Sequence, residues 1–269
     1  MRHRISDSIL IVEGDFLRVR FEEDSINLIV TSPPYNLRKP YGAHDDALEY
    51  DEYLDFSRRW LKKARRLLKP DGRLCLNIPL DTNKMGLRPV YADLVGIAQE
   101  VGFKYAFSIV WNEGNISRRT AWGSWRSPSA PYAIAPVEMI AVMFKERWKR
   151  LDKGTADISE DEFKTWTLGL WEFSGESQKR VGHPAPFPVE LPLRCIKLFS
   201  YKEDIILDPF VGSGSTLVAC ALAERRGIGV EIEHRYVEIT KRRVAEALSG
   251  LDDLFGSNCK PNSHTEGLG

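Results

Sequence analysis

The sequence predicts an α/β protein with a mixed, mostly parallel sheet that carries helices on both faces. Short runs rich in Ile and Val, at 8–14 and 25–31, are bounded by Gly, Asp or Ser, as buried parallel strands are. Between them and the next such run, residues 48–68 carry an apolar stripe of helical period. Repeated strand, helix, strand order is typical of a parallel sheet with helices packed on both sides.

The remaining elements continue this alternation along the chain. Strands are predicted over 73–79, 104–111, 137–144, 204–210 and 227–232, and helices over 88–102, 190–199, 215–224 and 234–248. From about 145 to 180 the pattern breaks into charge, Gly and Trp, and no helix or strand is predicted there. After Phe255 the chain is polar and Gly-rich, so we predict one folded domain over 1–255 and a disordered tail over 256–269.

Composition indicates an ordinary globular enzyme or binding protein. The 269 residues are 43% apolar and 28% charged, and no stretch reaches the ~20 apolar residues that span a bilayer. A cytoplasmic location with no membrane partner is therefore expected. The formal net charge is zero, so any contact with nucleic acid must come from local basic patches. Cys75, Cys195, Cys220 and Cys259 form no close pair, which favours reduced, buried thiols over a zinc site or disulfides.

A Gly-rich turn at 208–216 indicates a nucleoside site. It follows a predicted strand and precedes a helix, so Gly212 and Gly214 allow a ligand to approach the backbone at a helix N-terminus. Glu231 ends the next strand, where a carboxylate can accept hydrogen bonds from a ribose diol. The third glycine of the dinucleotide fingerprint would fall at Leu217, and no P-loop lysine is present. An adenosine with an uncharged appendage therefore fits better than a dinucleotide.

Four motifs together resemble the DNA amino-methyltransferases. "TSPPYN" at 31–36 looks like their catalytic loop, "LDPFVGSGST" at 207–216 like their cofactor loop, "GVEI" at 229–232 like their ribose-binding strand end, and "HPAPFP" at 183–188 like the segment that encloses the methionine end of the cofactor. These enzymes move a methyl group from S-adenosylmethionine to the exocyclic amine of cytosine or adenine. The resemblance implies their Rossmann-like methyltransferase fold, and the catalytic loop preceding the cofactor loop implies the circularly permuted order of the beta class, of restriction-modification type.

The resemblance assigns the catalytic work to Ser32, Pro33, Pro34 and Tyr35. An exocyclic amine is a poor nucleophile because its lone pair is delocalised into the base. In the family scheme the Ser32 hydroxyl and the Pro33 carbonyl accept its hydrogens, and the two prolines hold that backbone still. Tyr35 offers a flat face to the base once it has left the duplex. Without the other motifs, a Pro-Pro pair after a strand would be interpreted as a plain turn.

The cofactor site implied by the resemblance draws on five parts of the chain. Asp15 is the candidate acceptor for the adenine amino group, and Asp208 either binds the methionine ammonium or braces the turn. The predicted cofactor-binding residues are Asp15, Thr31, His183, Pro184, Phe187, Asp208, Pro209, Phe210, Gly212, Gly214, Ser215, Thr216 and Glu231.

Residues 112–182, apart from the strand at 137–144, are the predicted target-recognition insert. Basic and aromatic side chains alternate there, a mixture suited to contacting phosphates and grooves of double-stranded DNA. The candidates are Arg118, Arg119, Trp122, Trp125, Arg126, Lys179 and Arg180. A cognate restriction endonuclease is implied by the resemblance alone, and a homodimer is left open.

The target base is the main alternative that the sequence leaves open. Within the family, Ser at the position of Ser32 is associated with cytosine, and the form of "HPAPFP" agrees, so cytosine N4 is favoured over adenine N6. An RNA or protein methyltransferase, a non-catalytic DNA-binding module and a nucleotide-dependent oxidoreductase are the other hypotheses. The oxidoreductase would have to explain the missing third glycine, and the intact 32–35 loop speaks against an inactive scaffold.

Overall fold

The computed structural model describes residues 1–35, 48–80, 88–114, 123–131, 133, 137–175 and 187–256. The strands are β1 (Arg2–Arg4), β2 (Ile9–Glu13), β3 (Ile26–Thr31), β4 (Leu68–Pro79), β5 (Lys104–Asn112), β6 (Val137–Phe144), β7 (Leu170–Glu172), β8 (Ile205–Asp208) and β9 (Arg226–Glu231). The helices are α1 (Tyr50–Leu67), α2 (Val90–Glu100), α3 (Glu160–Trp166), α4 (Glu190–Phe199), α5 (Ser215–Leu222) and α6 (His234–Gly256). No helix in these ranges is long and apolar enough to cross a bilayer.

The strands form one mixed sheet in the order β1-β2-β9-β8-β3-β4-β6-β5-β7. Five neighbouring strands in this order, β2, β9, β8, β3 and β4, are mutually parallel. β6 runs antiparallel to both of its neighbours, and β1 is antiparallel to β2. β7 pairs parallel with β5 at the far edge. The predicted fold class, a mostly parallel mixed sheet in a Rossmann-like methyltransferase arrangement, is confirmed.

Two hydrophobic cores cover the two faces of the sheet. On one face, α1 and α2 bury residues such as Trp60, Leu61 and Leu94, and on the other α3 to α6 bury residues such as Trp171 and Ile196. The predicted apolar stripe of α1 packs into the first of these cores. A capping box at Glu49 begins the helix. The helix propensity of α1 alone would be marginal in water, so burial of this stripe supplies most of its stability.

The structure departs from the predicted elements in three places. The stretch 145–180, predicted to be irregular, contains α3 and β7, which are too short for a periodic signal but bury Trp166 and Trp171 in the core. The segment 69–72, predicted as a stop after α1, instead belongs to β4, where a register shift against β3 absorbs the extra residues. β1 was not predicted either, because an exposed strand of Arg and His shows no apolar alternation.

The carboxyl ends of the central strands lie side by side. In sheet order, β2 ends at Glu13, β9 at Glu231, β8 at Asp208, β3 at Thr31 and β4 at Pro79. Loops that are distant in sequence therefore start from adjacent points on one edge of the sheet, which is where parallel α/β sheets bind ligands.

The same edge continues through the strands beyond β4. Asn112 at the end of β5 is in register with Val137 at the start of β6 and with Glu172 at the end of β7. The chain leaves the sheet after Asn112, returns to it at Val137 and leaves it again after Glu172. The chain after Asn112, the chain before Val137 and the chain after Glu172 therefore join the sheet at the edge of the catalytic loop, whereas the chain after β6 leaves from the opposite edge.

A buried ion pair attaches the 145–175 segment to the body of the protein. The Arg225 guanidinium is inaccessible to solvent and donates to both Asp157 oxygens at 2.6 and 2.7 Å and to the Ser200 carbonyl at 2.8 Å. The ion pair links the chain before α3 to the end of α4 and to the start of β9.

We expect Asp157→Ala to destabilise the protein strongly, because it leaves a buried guanidinium without its carboxylate. The expected loss is about 3 kcal/mol of the free energy of unfolding, measured by urea denaturation. Asp152→Ala, at an exposed position in the same segment, is the control and should stay within about 0.5 kcal/mol of the parent. Equal midpoints for the two variants would contradict the structural importance of the pair.

Candidate active site

A cavity opens at the carboxyl edge of the sheet, between the loop after β3 and the loop after β8. It encloses about 940 Å³ including its open mouth. The predicted catalytic loop forms one wall and the predicted cofactor loop forms the opposite wall. Two segments that are far apart in sequence therefore share one site.

Most of the predicted site residues that the structure describes line this cavity. They are Asp15, Ser32, Pro33, Pro34, Tyr35, Phe187, Pro209, Phe210, Gly212, Ser215 and Glu231. Thr31, Asp208, Gly214 and Thr216 do not line it and lie behind its wall. His183 and Pro184 lie outside the described residues.

Asp208 lies behind the cavity wall and braces the two loops. Its carboxylate is fully buried, and it accepts hydrogen bonds from Thr31 Oγ1 at 2.7 Å, Thr216 Oγ1 at 2.6 Å and the Phe210 amide at 3.0 Å. Burial raises the pKa of Asp208 to about 6, and these donors lower it in part. The interaction fastens the end of β3 to the start of α5, so the sequence interpretation of Asp208 as a turn brace is the one that the geometry supports.

The cofactor loop is held in a conformation that requires glycine. Gly214, the N-cap of α5, has a φ of 87°, and a Cβ there would lie 2.6 Å from a Thr240 side-chain atom. Thr240 Oγ1 also donates to the Gly212 carbonyl at 2.9 Å, and Arg243 donates to the Ser213 carbonyl at 2.7 Å. Packing of α6 against the loop thus shapes the cavity floor.

Glu231 projects a buried carboxylate to the cavity. Its oxygens accept from the Gly212 amide and from the Glu233 amide, both at 2.9 Å. Burial raises the pKa of Glu231 to about 7, although these amides lower it in part. A carboxylate oxygen can accept more than one hydrogen bond, so both oxygens can still accept from a ligand diol.

The end of the cavity beside β2 is aromatic. Phe210 packs edge-on against Trp60, with ring centroids 5.4 Å apart, and against Phe16 at 6.2 Å. Asp15 lines this end and accepts the Leu17 amide on Oδ1 at 2.8 Å. A flat apolar wall beside a carboxylate suits an adenine ring with its amino group.

These features fit the cofactor implied by the resemblance. A buried acceptor for a ribose diol, a glycine turn at a helix N-terminus and an aromatic wall with one carboxylate lie around a single cavity. Within the described part of the chain, neither lysine nor arginine lines this cavity, as expected for a ligand without phosphates.

The catalytic loop is tied to two residues that the sequence did not single out. The Ser32 and Tyr35 hydroxyls are hydrogen bonded to each other, and Tyr35, only 9% exposed, donates to Glu138 Oε2 at 3.2 Å. Asn77 Nδ2 lies 2.5 Å from Glu138 Oε2 and 3.2 Å from Tyr35 Oη. One signal was available: Glu138 is an acid at the start of an otherwise apolar strand.

Glu138 is held in surroundings that favour its neutral form. Burial raises the pKa of Glu138 to about 7, and the negative charge of Glu113 adds to this effect, while hydrogen bonds from Asn77 and Tyr35 act against it. Because Pro79 and Glu138 are paired across β4 and β6, the carboxylate lies at the same sheet edge as the catalytic loop.

Of the predicted DNA-contacting residues, the structure describes Trp125 and Arg126. Trp125 is 65% exposed, and Arg126 has a φ of 52°. Arg118, Arg119, Trp122, Lys179 and Arg180 lie outside the described residues.

Comparison with known proteins gives a family match over most of the chain. The family model for N6 and N4 methylases, described as DNA methylase, matches residues 26–242. Type II methyltransferase M.MjaVI of Methanocaldococcus jannaschii is 61% identical over 175 residues, which are 65% of this chain and 90% of that protein. M.HpaI of Haemophilus parainfluenzae is 30% identical over 242 residues, covering 87% and 72% of the two chains.

Solved structures agree with the sequence comparison. The DNA modification methylase TTHA0409 of Thermus thermophilus, solved in complex with S-adenosyl-L-methionine, superposes with a TM-score of 0.71 at 30% identity over 89% of this chain and 94% of that chain. The cytosine-N4-specific PvuII DNA methyltransferase superposes with a TM-score of 0.67 over 92% and 94% of the chains, at 23% identity, which supports the fold alone.

We expect Glu231→Ala to weaken binding of S-adenosylmethionine about 10- to 100-fold, because hydrogen bonds to a charged group are worth ~1.5–3 kcal/mol. Isothermal titration calorimetry of the protein without DNA measures this. Glu238→Ala, which removes an exposed carboxylate paired with Lys241, is the control and should bind normally. Unchanged affinity in Glu231→Ala would show that the diol is held elsewhere.

Proposed function

This chain belongs to the DNA methylase family, and from that premise we propose that it transfers a methyl group from S-adenosylmethionine to the exocyclic amine of a base flipped out of double-stranded DNA. The observation that carries the proposal is the cavity itself. Ser32 on the catalytic wall and Glu231 on the cofactor wall face the same space, so an amine at one wall meets a methyl donor held at the other.

The chain's own residues define how the donor would be held. When bound, S-adenosylmethionine supplies an activated methyl group. Glu231 accepts from its ribose, Asp15 and the Phe210 wall take its adenine, and Gly212 and Ser215 allow its close approach to the cofactor loop. His183 and Pro184 are proposed to enclose its methionine end.

The catalytic loop prepares the amine for attack. Ser32 Oγ and the Pro33 carbonyl accept hydrogens from the nitrogen, which localises its lone pair and stabilises the positive charge that develops there. Pro33 and Pro34 keep these acceptors in place. Tyr35 is nearly buried and lines the cavity, and we propose that a flipped base stacks on its ring.

We propose cytosine N4 as the acceptor, with adenine N6 as the alternative. Support comes from the Ser at position 32 and from the form of the "HPAPFP" segment, both of which are associated with cytosine by resemblance. The two amines need the same hydrogen-bond acceptors, so the geometry of the loop supports either base.

DNA recognition is proposed to lie in the non-core parts of 112–182. Because α3 and β7 are packed into the body of the protein, we assign recognition to the chain between β5 and β6 and to the chain after β7. Trp125 exposes a large ring to solvent there, and Arg126 is beside it, so we propose that both contact the duplex. A cognate endonuclease and a homodimer are proposals that rest on the family alone.

The protein should label double-stranded DNA when incubated with tritiated S-adenosylmethionine. Digestion of the product to nucleosides and mass spectrometry should identify N4-methylcytosine, and N6-methyladenine would select the alternative. Transfer to RNA or protein, with none to unmethylated DNA from several sources, would reject the proposal.

Ser32→Ala should lower the rate of methyl transfer about 100-fold, the size of effect seen when one positioned acceptor or donor is removed from an active site. Its affinity for S-adenosylmethionine should stay within about twofold of the parent, because this side chain serves the amine. Glu238→Ala, at an exposed position outside the cavity, is the control and should transfer methyl groups at the parent rate. A large loss of cofactor binding in Ser32→Ala would mean that the loop had been misinterpreted.

A further inference from the structure

A continuous set of hydrogen bonds leads from the cavity to a carboxylate behind the catalytic loop. Ser32, which lines the cavity, is bonded through Oγ to Tyr35 Oη, and Tyr35 Oη lies 3.2 Å from Glu138 Oε2. Glu138 enters from β6, a strand that carries none of the sequence motifs. Family resemblance therefore gives it no role, and its place comes from the pairing of β4 with β6.

The charge of Glu138 decides which way the hydroxyl groups point. A carboxylate can only accept, so Tyr35 donates to Glu138, Ser32 donates to Tyr35, and a lone pair of Ser32 is left for the cavity. If Glu138 carries a proton, it can donate to Tyr35 instead, Tyr35 then donates to Ser32, and the Ser32 hydrogen points to the cavity. In the first arrangement neither lone pair of Ser32 is used by Tyr35, so Ser32 can accept from an amine, whereas in the second one lone pair is used by Tyr35 and the Ser32 hydrogen is directed at the amine.

Asn77 favours the charged arrangement. Its Nδ2 is directed at Glu138 Oε2 and Tyr35 Oη, whereas its buried Oδ1 has no hydrogen-bond partner among the described residues. Leaving a buried acceptor unpaired costs its desolvation free energy without a compensating hydrogen bond. In this orientation the Asn77 amide leaves its Oδ1 unpaired and donates an N–H to the Glu138 carboxylate, which favours the charged form of Glu138.

We propose that Glu138, behind the catalytic loop, is both a positioning residue and a proton acceptor. The proton that the amine loses reaches Glu138 through Ser32 and Tyr35. This inference rests on the proposed function and deepens it. Methyl transfer leaves the amine nitrogen positively charged, with one proton too many. Its N–H bond breaks as Ser32 Oγ accepts the proton, Ser32 passes its own proton to Tyr35, and Tyr35 passes its proton to Glu138.

The step balances without any other reactant. One N–H bond is lost and one O–H bond forms on the carboxylate, so the cationic amine and the anionic Glu138 both become neutral. No group is oxidised or reduced, and Glu138 returns the proton to water before the next turnover. The described groups that face Glu138 are the titratable Tyr35 and Glu113 and the polar Asn77.

The test is the pH dependence of single-turnover methyl transfer, with enzyme in excess over unmethylated bacteriophage DNA and tritiated S-adenosylmethionine. In the parent protein the rate should rise with pH to a plateau, with an apparent pKa of about 7, the value to which burial raises Glu138. Glu138→Gln keeps the size of the side chain but cannot take a proton. We expect it to lower the plateau rate about 100-fold, within the range for a lost acid–base group, and to abolish the acid limb.

Three further variants separate proton acceptance from packing. Tyr35→Phe keeps the ring but breaks the path, so it should lose the acid limb as Glu138→Gln does. Glu138→Asp restores an ionisable group and should recover the limb. Glu113→Gln removes the neighbouring charge that raises the pKa of Glu138, so its acid limb should move to lower pH with the plateau unchanged. An acid limb that survives in Glu138→Gln, or an unmoved limb in Glu113→Gln, would overturn the proposal.

A measurement without DNA or cofactor reports on the same carboxylate. Because the folded-state pKa of Glu138 lies above its usual value of 4.5, this group reduces stability as the pH rises from about 4.5 to about 7. The melting temperature of Glu138→Gln relative to the parent should therefore increase between about pH 5 and about pH 8. A constant difference would show that Glu138 does not titrate in this range and would count against the proposal.

The two levels of inference fail in different ways. If the parent protein labels no DNA, the proposed function is rejected and the role of Glu138 with it. If the parent labels DNA but Glu138→Gln does so with the same rate and pH profile, only the role of Glu138 is rejected.

Discussion

The site depends on one buried interaction, the hydrogen bonds that Asp208 accepts from Thr31 and Thr216. Thr31 ends the strand before the catalytic loop, and Thr216 lies at the start of the helix after the cofactor loop. Since all three residues are buried, the distance between the two loops is set by the core rather than by the surface. The order in which the loops occur along the chain then matters little, because the sheet places β8 directly beside β3.

This arrangement buries three acidic side chains, which costs electrostatic free energy. Asp208, Glu231 and Glu138 all lie at the carboxyl edge of the sheet, and burial raises the pKa of each toward neutrality. Carboxylates in such surroundings reduce the stability of the empty protein as the pH rises from their usual pKa values to about 6–7. Of the three, Glu231 lines the cavity, and a ligand diol that donates hydrogen bonds to it offsets part of that cost.

Sequence reasoning recovered what is encoded locally. The strands, the stripe of α1 and the loops after β3 and β8 each carry their signal within a few residues, and placing the loops at strand ends was enough to predict a shared site. Glu138 and Asn77 could not be found this way, because their meeting depends on the antiparallel register of β6 against β4. The helix α3 and strand β7 were missed because burial of Trp166 and Trp171, rather than periodicity, holds them.

The register of the far edge of the sheet has a consequence for how specificity could change. Asn112, Val137 and Glu172 are aligned across β5, β6 and β7, so the chain segments that would read DNA begin and end on one line of fixed backbone. That line is separated from β8, the strand that carries the cofactor loop, by β3 and β4. Changes in the length or sequence of the proposed recognition segments would therefore leave the backbone of the cofactor loop in place, and such modularity would let one scaffold diverge into enzymes that mark different sites.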